Sequence, residues 1–354
     1  MNLPPFATPM NRDRFQQLAQ KYPALRVGVV GDFCLDRYLE IDPARTETSI
    51  ETGLPVNNVI KVRAQPGAAG TILNNLVAIG VGEIYPIGFC GEDGEGYELR
   101  RALAALSVVR LDGFLQTKDR CTPAYCKPLV IEPGKPPREL NRLDTKNWTP
   151  TPAAIQETIV ASLMGLAPKL DAIIVLDQVD VAETGVVTRR LLQAIGQLAK
   201  DRMEQLIIAD SRRGLRDWPA TTFKMNAAEL GALSGVAANA DLDELKQSAS
   251  FLARQRDRLM FVTLAERGMI AAMPDGHVEH LPSLPLRGPI DIVGAGDSVT
   301  ANLTAALAAG ATAREAIEVA SVAASIAIHQ LGTAGAASCD AISELLAAME
   351  TNGK

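Results

Sequence analysis

The feature that most restricts the fold of this chain is a repeated design, in which a short apolar run ends at a polar residue and helical patterns lie between the runs. Four such runs occupy residues 25–32, 171–177, 206–210 and 259–263. Continuous apolar runs of this length are typical of strands buried on both faces. Helical periodicity is found at 12–21, 69–79, 94–106, 152–166, 184–201 and 242–255. The alternation predicts a mostly parallel sheet with helices on both faces.

A polar side chain closes each of these runs. Asp32, Asp177, Asp210 and Thr263 stand at the carboxyl ends of the four predicted strands. Ligands of open parallel sheets bind beyond the carboxyl ends of the strands, so these side chains are expected at one edge of the sheet. One terminal acid is common at the start of a strand–helix loop, whereas several acids at one edge indicate a polar site.

Two segments, 37–65 and about 112–145, do not follow the alternation. Residues 56–63 and 124–131 have the composition of exposed strands without helices of their own, and they predict a small sheet that stands off the main domain. Such a sheet would act as a lid that excludes water from a reaction site. A pair of surface hairpins is the alternative. The apolar residues of 56–62 also predict a homodimer that pairs through this sheet.

Residues 291–298, Asp-Ile-Val-Gly-Ala-Gly-Asp-Ser, carry the clearest chemical signal. A predicted strand end at 290–293 runs into two glycines and then into a helix rich in small residues. Glycine permits backbone conformations closed to other residues, and the first amides of a helix lack partners within it, which favours an anion such as phosphate. Asp297 beside such a cradle is suited to remove a proton from an attacking hydroxyl. A capping aspartate after a glycine turn is the alternative. Further helices are predicted at 299–309, 313–330 and 340–350.

Composition narrows the classes of function. The 354 residues include 35 Lys and Arg against 41 Asp and Glu, a formal net charge of −6, which gives no electrostatic footprint for nucleic acid. No apolar run reaches membrane-spanning length, and the N-terminus lacks the pattern of a signal peptide. The five cysteines are dispersed, and the three histidines are badly spaced for a metal triad. We therefore expect free thiols and a cytoplasmic protein that acts on a small molecule.

In their order along the chain, these motifs resemble those of the ribokinase/PfkB family of carbohydrate kinases, from about residue 25 to 345. Residues 291–298 are similar to the family's D-T-x-G-A-G-D-x signature. Residues 31–38, Gly-Asp-Phe-Cys-Leu-Asp-Arg-Tyr, resemble the G-D-x-x-L-D-R-Y of heptose-7-phosphate kinase domains in bifunctional ADP-heptose synthesis enzymes. Residues 142–144 and 331–333 resemble further segments of those domains. The resemblance implies one ribokinase-like, three-layer α/β/α domain over 1–354 with a small β-sheet lid.

The resemblance also implies roles at the catalytic and acceptor sites. Asp297 matches the catalytic base. Gly294, Ala295 and Gly296 match the anion hole for the transferred phosphoryl group. Asp36 matches a carboxylate that holds sugar hydroxyls, and Asp177 matches an acid at the lip of the acceptor cleft. The remaining acceptor contacts implied by the family are Gly67, Ala68 and Thr71.

A second set of residues matches the nucleotide side of the family's site. Asn226 and Glu229 match an N-x-x-E motif, with Asn226 on the nucleotide and Glu229 linked to magnesium, most simply through water. Thr263, Glu266 and Gly268 resemble the strand and turn that line the nucleotide site. The implied cofactors are ATP and Mg²⁺. A helix cap followed by a solvated acid is the alternative for Asn226 and Glu229.

The implied reaction is transfer of the γ-phosphoryl group of ATP to a hydroxyl of a sugar or sugar phosphate, with heptose 7-phosphate giving the 1,7-bisphosphate. The loop at 66–71 departs from the family's P-G-G-A-A-N, because Ala68 adds a methyl group and Thr71 replaces an amide. A lysine that heptose kinases carry just after the Asp177 position is not found in 178–181. Two alternatives stay open: a kinase for another acceptor, such as a nucleoside or a hexose phosphate, and a catalytically idle sugar- or nucleotide-binding relative.

Overall fold

Two sheets organise the chain, and the computed structural model describes residues 10–352 of it. In chain order the strands are β1 (Arg26–Gly31), β2 (Phe33–Ile41), β3 (Glu47–Thr48), β4 (Pro55–Val56), β5 (Val59–Ala68), β6 (Glu83–Gly91), β7 (Phe114–Thr117), β8 (Ala124–Val130), β9 (Arg138–Glu139), β10 (Leu143–Thr145), β11 (Ala172–Asp177), β12 (Leu206–Ser211), β13 (Thr222–Asn226), β14 (Met260–Thr263), β15 (Met269–Ala272) and β16 (Val278–Leu281). The helices are α1 (Arg12–Ala19), α2 (Ala69–Ala78), α3 (Gly94–Ala104), α4 (Ala153–Leu166), α5 (Arg189–Asp201), α6 (Ala227–Ser234), α7 (Leu242–Arg256), α8 (Ala295–Ala308), α9 (Ala313–Ala327) and α10 (Cys339–Asn352).

The main sheet has nine strands in the order β16-β15-β14-β13-β12-β11-β1-β6-β7. All strands from β7 across to β14 run parallel, and β15 and β16 continue the sheet in antiparallel fashion. The four predicted strands are β1, β11, β12 and β14, so the mostly parallel sheet predicted from the alternation is confirmed. Their polar end residues lie at the same edge, because all four strands run parallel in this part of the sheet, with β13 between β12 and β14.

The continuous apolar runs are explained by two cores, one on each face of the main sheet. Along β11, Ile174 and Leu176 contribute to one core, whereas Ile173 and Val175 contribute to the other. Successive side chains of a strand point to opposite faces, so a strand buried on both sides needs apolar residues throughout. Helices α1, α2, α8, α9 and α10 lie over the first core, and helices α4, α5, α6 and α7 lie over the second.

The second sheet has the strand order β10-β8-β2-β5, with β9 paired to β8. It differs from the expected lid segments in two ways. The segment 37–65 is too short, because β2 already begins at Phe33 and β5 continues to Ala68, directly before α2. The segment 112–145 is divided, because Phe114–Thr117 pairs with β6 and belongs to the main sheet. Strands β3 and β4 form a separate two-stranded hairpin.

Two local predictions were wrong for reasons visible in the hydrogen bonds. Residues 290–293 form no strand, and Ile292 is 72% exposed. The Asp291 carboxylate instead accepts the amides of Val293 and Gly332, which holds this stretch as a turn beside α8. Helix α5 begins at Arg189 rather than at 184, because the Asp32 carboxylate binds the amide of Val186 and keeps that loop against β1. Four strands of the main sheet, β6, β7, β13 and β15, were not predicted.

No helix in the described part of the chain is both long and apolar enough to cross a membrane.

Gly82 tests the packing of the turn that leads into β6. A Cβ atom on Gly82 would stand 1.9 Å from the Pro23 carbonyl oxygen, a backbone atom that cannot swing away. We expect Gly82→Ala to lower the free energy of unfolding by about 1–3 kcal/mol. Gly94→Ala is the control, since no atom lies within 4 Å of its Cβ position. Urea denaturation should separate the two variants, and equal midpoints would contradict the packing described here.

Candidate active site

A cleft of about 210 Å³ lies between the second sheet and the N-terminus of α8. Asp36 on β2, Thr71 of α2 and Asp297 in α8 all line it. Gly294 and Ala68 also contribute to its wall. The structure therefore brings together five of the residues that were predicted for catalysis and for the acceptor.

The N-terminus of α8 has the backbone arrangement expected of an anion site. Gly294 precedes the helix with φ 81°, and a Cβ there would come within 3.0 Å of the Ala334 methyl. The Ala295 amide donates to the Ile292 carbonyl at 3.1 Å, so it is occupied inside the turn. Among the described residues, no protein acceptor is found for the amides of Gly296 and Asp297. These two amides, rather than that of Ala295, are free to bind an anion.

A buried lysine that was not predicted stands beside these amides. Lys224 lies on β13, and its Nζ is 2.8 Å from Oδ2 of Asp210 at the end of β12. The same Oδ2 accepts the Thr300 hydroxyl of α8 at 3.0 Å. The Cβ position of Gly296 is 3.1 Å from Lys224 Nζ, which leaves room for glycine alone without displacing the ammonium. The available signal was a lysine between the apolar residues Phe223 and Met225 of β13.

Asp297 is a half-buried acid whose surroundings oppose its charge. Burial raises the pKa of Asp297 to about 7, and the negative charges of Asp210 and Asp36 act in the same direction. Lys224 lowers it and offsets part of this effect. A carboxyl group with a pKa near neutrality can exchange a proton efficiently at physiological pH, which is the property required of a general base.

Asp36 is buried on the second sheet and faces the cleft with a cation beside it. Its Oδ1 lies 3.3 Å from Nζ of Lys127 on β8, and that ammonium also stands over the Tyr38 ring. Gly67 has to be glycine here, because a Cβ would come within 2.7 Å of Asp36 Oδ2 and 2.8 Å of Cys34 Sγ. Gly67 thus makes room for the carboxylate rather than for a ligand.

Four cations surround the acceptor side of the cleft, namely Lys127, Arg142, Lys146 and Arg212. Arg142 and Lys146 both lie over the ring of Tyr125, with the guanidinium carbon 4.9 Å and the ammonium 5.8 Å from its centroid. Lys146 also binds Asp180 at 2.6 Å. The sequence indicated residues 142–144 only through a resemblance. The cation cluster itself was not predicted, because its members come from three separate segments.

Asp177 differs from its predicted position at the lip of the cleft. Its side chain is fully buried below the cleft, and one oxygen accepts hydrogen bonds from Ser211 at 2.8 Å and Arg213 at 2.7 Å. Burial and the negative charge of Asp32 raise the pKa of Asp177 to about 6. The next residue, Gln178, lines the cleft in its place. A direct contact between Asp177 and the acceptor therefore has no geometric support in this structure.

Asn226 and Glu229 form a reciprocal capping box at the start of α6. The Asn226 side chain accepts the Glu229 amide at 2.9 Å, and Glu229 Oε2 accepts the Asn226 amide at 2.7 Å. The capping alternative therefore holds in this structure, but it does not exclude a ligand role. Burial raises the pKa of Glu229, and the negative charge of Asp210 acts in the same direction, whereas the Asn226 amide and Lys224 lower it. The half-buried Glu229 carboxyl is thus within electrostatic reach of the Lys224–Asp210 pair.

The remaining nucleotide-side predictions fall at the ends of β13 and β14. Thr263 is directly opposite Asn226 in the parallel pairing of these strands. Glu266 is exposed in the turn beyond β14. Gly268 has φ 92°, and a Cβ there would be 1.9 Å from the Leu281 carbonyl oxygen, so the turn itself requires glycine. No contact of Glu266 or Gly268 identifies a nucleotide, and their implied role stays a prediction.

The donor set suits a magnesium ion that is held mainly by phosphate and water. Across residues 10–352, no group of three or more His, Cys, Asp or Glu side chains is placed to hold a metal ion. Magnesium commonly uses only one or two carboxylates and keeps several of its waters. Glu229 has an oxygen that is not used by the capping box, and Asp210 lies close by. These residues fit a water-mediated site and not a closed cage.

The cleft carboxylates and the free helix amides lie at the carboxyl edge of a parallel sheet, which is the usual place for a ligand site in an α/β enzyme. The chain belongs to the pfkB family of carbohydrate kinases, because the sequence model of that family, "pfkB family carbohydrate kinase", matches residues 33–338. It is 31% identical over 331 residues to the Bifunctional protein HldE of Hyphomonas neptunium, covering 91% of this chain and 63% of that protein. It is 28% identical over 329 residues to the protein of the same name from Gluconobacter oxydans, covering 93% of this chain and 66% of that protein.

The chain thus spans less than two thirds of the length of these curated relatives. Solved structures share its fold at lower sequence identity. Ribokinase of Arabidopsis thaliana, complexed with ribose and ATP, has a TM-score of 0.61 and 18% identity, covering 91% of this chain and 98% of that one. A putative phosphofructokinase of Staphylococcus aureus has a TM-score of 0.68 and 17% identity, covering 91% and 97%. The ribokinase-like fold is therefore confirmed.

The raised pKa of Asp297 has a consequence for stability. The folded protein holds this proton more tightly than the unfolded chain does, because the pKa rises from 3.8 to about 7 on folding. Stability therefore falls as the pH rises between these values, and the full cost is present above pH 7. We expect Asp297→Asn, which cannot ionise, to have a higher Tm than the parent at pH 8 and a much smaller difference at pH 4.5.

Calorimetry at both pH values would measure this difference. Asp257→Asn at the end of α7 is the control, since it removes one carboxylate that lies outside the lining of the cleft. A Tm difference for Asp297→Asn that is the same at pH 4.5 and pH 8 would show that ionisation of Asp297 does not destabilise the folded protein.

Proposed function

We propose that the chain catalyses transfer of the γ-phosphoryl group of ATP to a hydroxyl of a phosphorylated sugar, with Asp297 as the general base. The observation that carries the proposal is that Asp297, whose own amide and that of Gly296 are free, lines the same cleft of about 210 Å³ as Asp36. The resemblance of residues 31–38 to heptose-7-phosphate kinases makes heptose 7-phosphate the first acceptor to test, with the 1,7-bisphosphate as its product.

Proton removal and acceptor binding divide between the two sides of the cleft. A sugar hydroxyl is a weak nucleophile, so transfer is faster when a carboxylate takes the proton as the oxygen attacks phosphorus. Asp297 lines the cleft and has a pKa suited to this step. Asp36 is fixed by Lys127 and can accept hydrogen bonds from other hydroxyls of the sugar.

Charge on the transferred phosphoryl group needs donors that are in place before the reaction. The amides of Gly296 and Asp297 point from the positive end of α8, and the Lys224 ammonium lies beside Gly296. Fixed donors of this kind stabilise a transition state without the cost of reorganising solvent. Lys224 is already paired with Asp210, so its contribution is positional as well as electrostatic.

The cation cluster favours an acceptor that carries its own phosphate. Arg142, Lys146 and Arg212 line the acceptor side of the cleft, where they would surround an anionic group. Arginine and lysine are the common partners of phosphate, and Arg can bind it in bidentate fashion. The Lys146 ammonium forms an ion pair with Asp180. A lysine is therefore present beside residues 178–181, although that stretch contains none. Arg142 is paired with Asp144 at 3.0 Å and Arg212 with Asp180 at 3.5 Å, so a phosphate would share these cations with the carboxylates already beside them.

Magnesium and the cellular compartment complete the proposal. Magnesium bound with ATP would neutralise phosphate charge, and Glu229 and Asp210 are the residues placed to hold its waters.

The five cysteines are free, which suits a reducing compartment where ATP is supplied. We therefore place the reaction in the cytoplasm.

Release of ADP over a panel of acceptors tests the activity. The panel should contain heptose 7-phosphate, mannose 6-phosphate, fructose 6-phosphate, ribose 5-phosphate and the matching free sugars, each with ATP and Mg²⁺. We expect turnover with at least one phosphorylated member and a loss of about 10²–10⁴-fold in kcat for Asp297→Asn, because the base is removed. The kcat/KM of the parent should rise with pH up to about 7 and then level off, as Asp297 loses its proton.

Asp257→Asn, at the far end of α7, is the matched control and should retain the parental kcat. A protein that binds ATP and releases no ADP with any acceptor would contradict the proposal and favour an idle binding relative. Turnover restricted to unphosphorylated acceptors would retain the kinase and reject the phosphate subsite.

We also propose that two copies of the chain pair through the second sheet. Strand β5 is an edge of that sheet in the described structure, and it exposes Val59, Ile60 and Val62 to 42%, 51% and 54%. An exposed apolar edge strand is a template for pairing with another strand. We expect sedimentation equilibrium to give a dimer at micromolar concentration and the double substitution of Ile60→Lys with Val62→Lys to give a monomer.

Phe251→Lys is the control for that experiment, because Phe251 is 61% exposed on α7 and lies outside the second sheet. It should leave the dimer intact. A parental protein that sediments as a monomer, or a dimer that survives the double substitution, would contradict pairing through β5.

A further inference from the structure

Ala68 has a backbone conformation that strongly favours glycine. Its φ is 53° and its ψ is −118°, at the junction between β5 and α2. The Cβ atom makes this region costly for alanine, whereas glycine enters it freely. Strain of this kind persists only where the surrounding structure enforces it, and it is concentrated at functional sites. The presence of alanine at position 68, where glycine would be unstrained, therefore calls for an explanation.

The position of Ala68 supplies one, because the residue lines two adjoining spaces. The first is the acceptor cleft of about 210 Å³. The second is a cavity of about 40 Å³, enough for a few water molecules or one small substituent. Its wall is largely apolar and includes Phe33, Phe89, Val179 and Val186. Tyr125, Lys146 and Gln178 line both spaces as well, so Ala68 stands where the two meet.

The neighbouring residues show how this junction is built. A Cβ on Gly67 would meet Asp36, and a Cβ on Gly70 would stand 2.4 Å from the Pro66 ring, so both positions require glycine for space. Ala69 is buried at the first position of α2 and packs in the core. Ala68 alone combines a conformation that favours glycine with a methyl group at the edge of the ligand space.

We propose that Ala68 is a specificity-determining residue, whose methyl group separates the acceptor cleft from the apolar cavity and excludes acceptors with a substituent directed into that cavity. The inference rests on the proposed sugar kinase function. It assigns acceptor selection to one methyl group, held in place at the expense of backbone strain. One methyl group can change discrimination between related substrates by about tenfold or more.

A purely structural role makes a different prediction. The Ala68 side chain also contacts the apolar core beneath α2, so it could serve only as packing. In that case Ala68→Gly would lower stability and would leave the choice of acceptor unchanged. In Ala68→Gly, the relief of backbone strain offsets the lost core contact only if the native backbone conformation is unfavourable for alanine.

The test compares Ala68→Gly with Ala69→Gly in the full chain. ADP release is measured with matched pairs of acceptors that differ by one substituent, such as glucose 6-phosphate with N-acetylglucosamine 6-phosphate and mannose 6-phosphate with N-acetylmannosamine 6-phosphate. For Ala68→Gly we expect the ratio of kcat/KM, larger to smaller acceptor, to rise about tenfold in at least one pair, mainly through a lower KM for the larger member. The Tm should be equal to or above that of the parent.

Ala69→Gly is the control, since it removes a methyl group from the adjacent residue in the core. It should lower the Tm and leave the acceptor ratios as in the parent. An active parent whose ratios shift no more with Ala68→Gly than with Ala69→Gly would overturn the role of Ala68 and leave the kinase function intact. A parent that releases no ADP with any acceptor would overturn the proposed function and this inference with it.

Discussion

One buried carboxylate, that of Asp210, joins the three elements on which the site depends. Its Oδ2 binds the Lys224 ammonium of β13 and the Thr300 hydroxyl of α8, while Asp210 itself is the second-last residue of β12. Charge-assisted hydrogen bonds of this kind are about twice as strong as neutral ones. The helix that carries the free amides and Asp297 is thereby fixed against the carboxyl edge of the sheet. Removal of either charged partner would leave the other buried and unpaired, which is strongly destabilising.

The same pair explains the charge balance of the phosphoryl end. Asp210, Asp297 and Glu229 surround the single ammonium of Lys224, and the pKa values of Asp297 and Glu229 are raised by the excess of negative charge and by burial. A phosphoryl group would add more negative charge to this region. Free amides relieve part of it without adding a proton that could titrate. A divalent cation held through Glu229 and Asp210 would rebalance the rest, which is why a water-mediated magnesium site suits these residues.

The fold and the phosphoryl end were predictable from local sequence, and much of the acceptor end was not. Strands β1, β11, β12 and β14 are continuous apolar runs, and the Gly294–Gly296 turn is local, so both leave signals within a few residues. The cation cluster leaves no such signal, because β2 pairs with β8 and so brings Lys127 to Asp36 from a distant segment. Lys224 was missed because β13 is short and its register depends on β12 and β14. The burial of Asp177 likewise follows from Ser211 and Arg213, which lie on another strand and its loop.

The two ends of the site also differ in how readily they can change. The phosphoryl end is built from one helix terminus and from strand ends that are tied together by Asp210, so a substitution there disturbs several elements at once. The acceptor end is assembled from side chains that reach across from the second sheet, and a charge lost from one loop can be supplied by another. Lys146 shows this, because it extends from the residue after β10 to Asp180, beside the stretch 178–181 that lacks a lysine. Although residues 178–181 contain no lysine, the Lys146 ammonium therefore supplies a positive charge at the same place in the cleft.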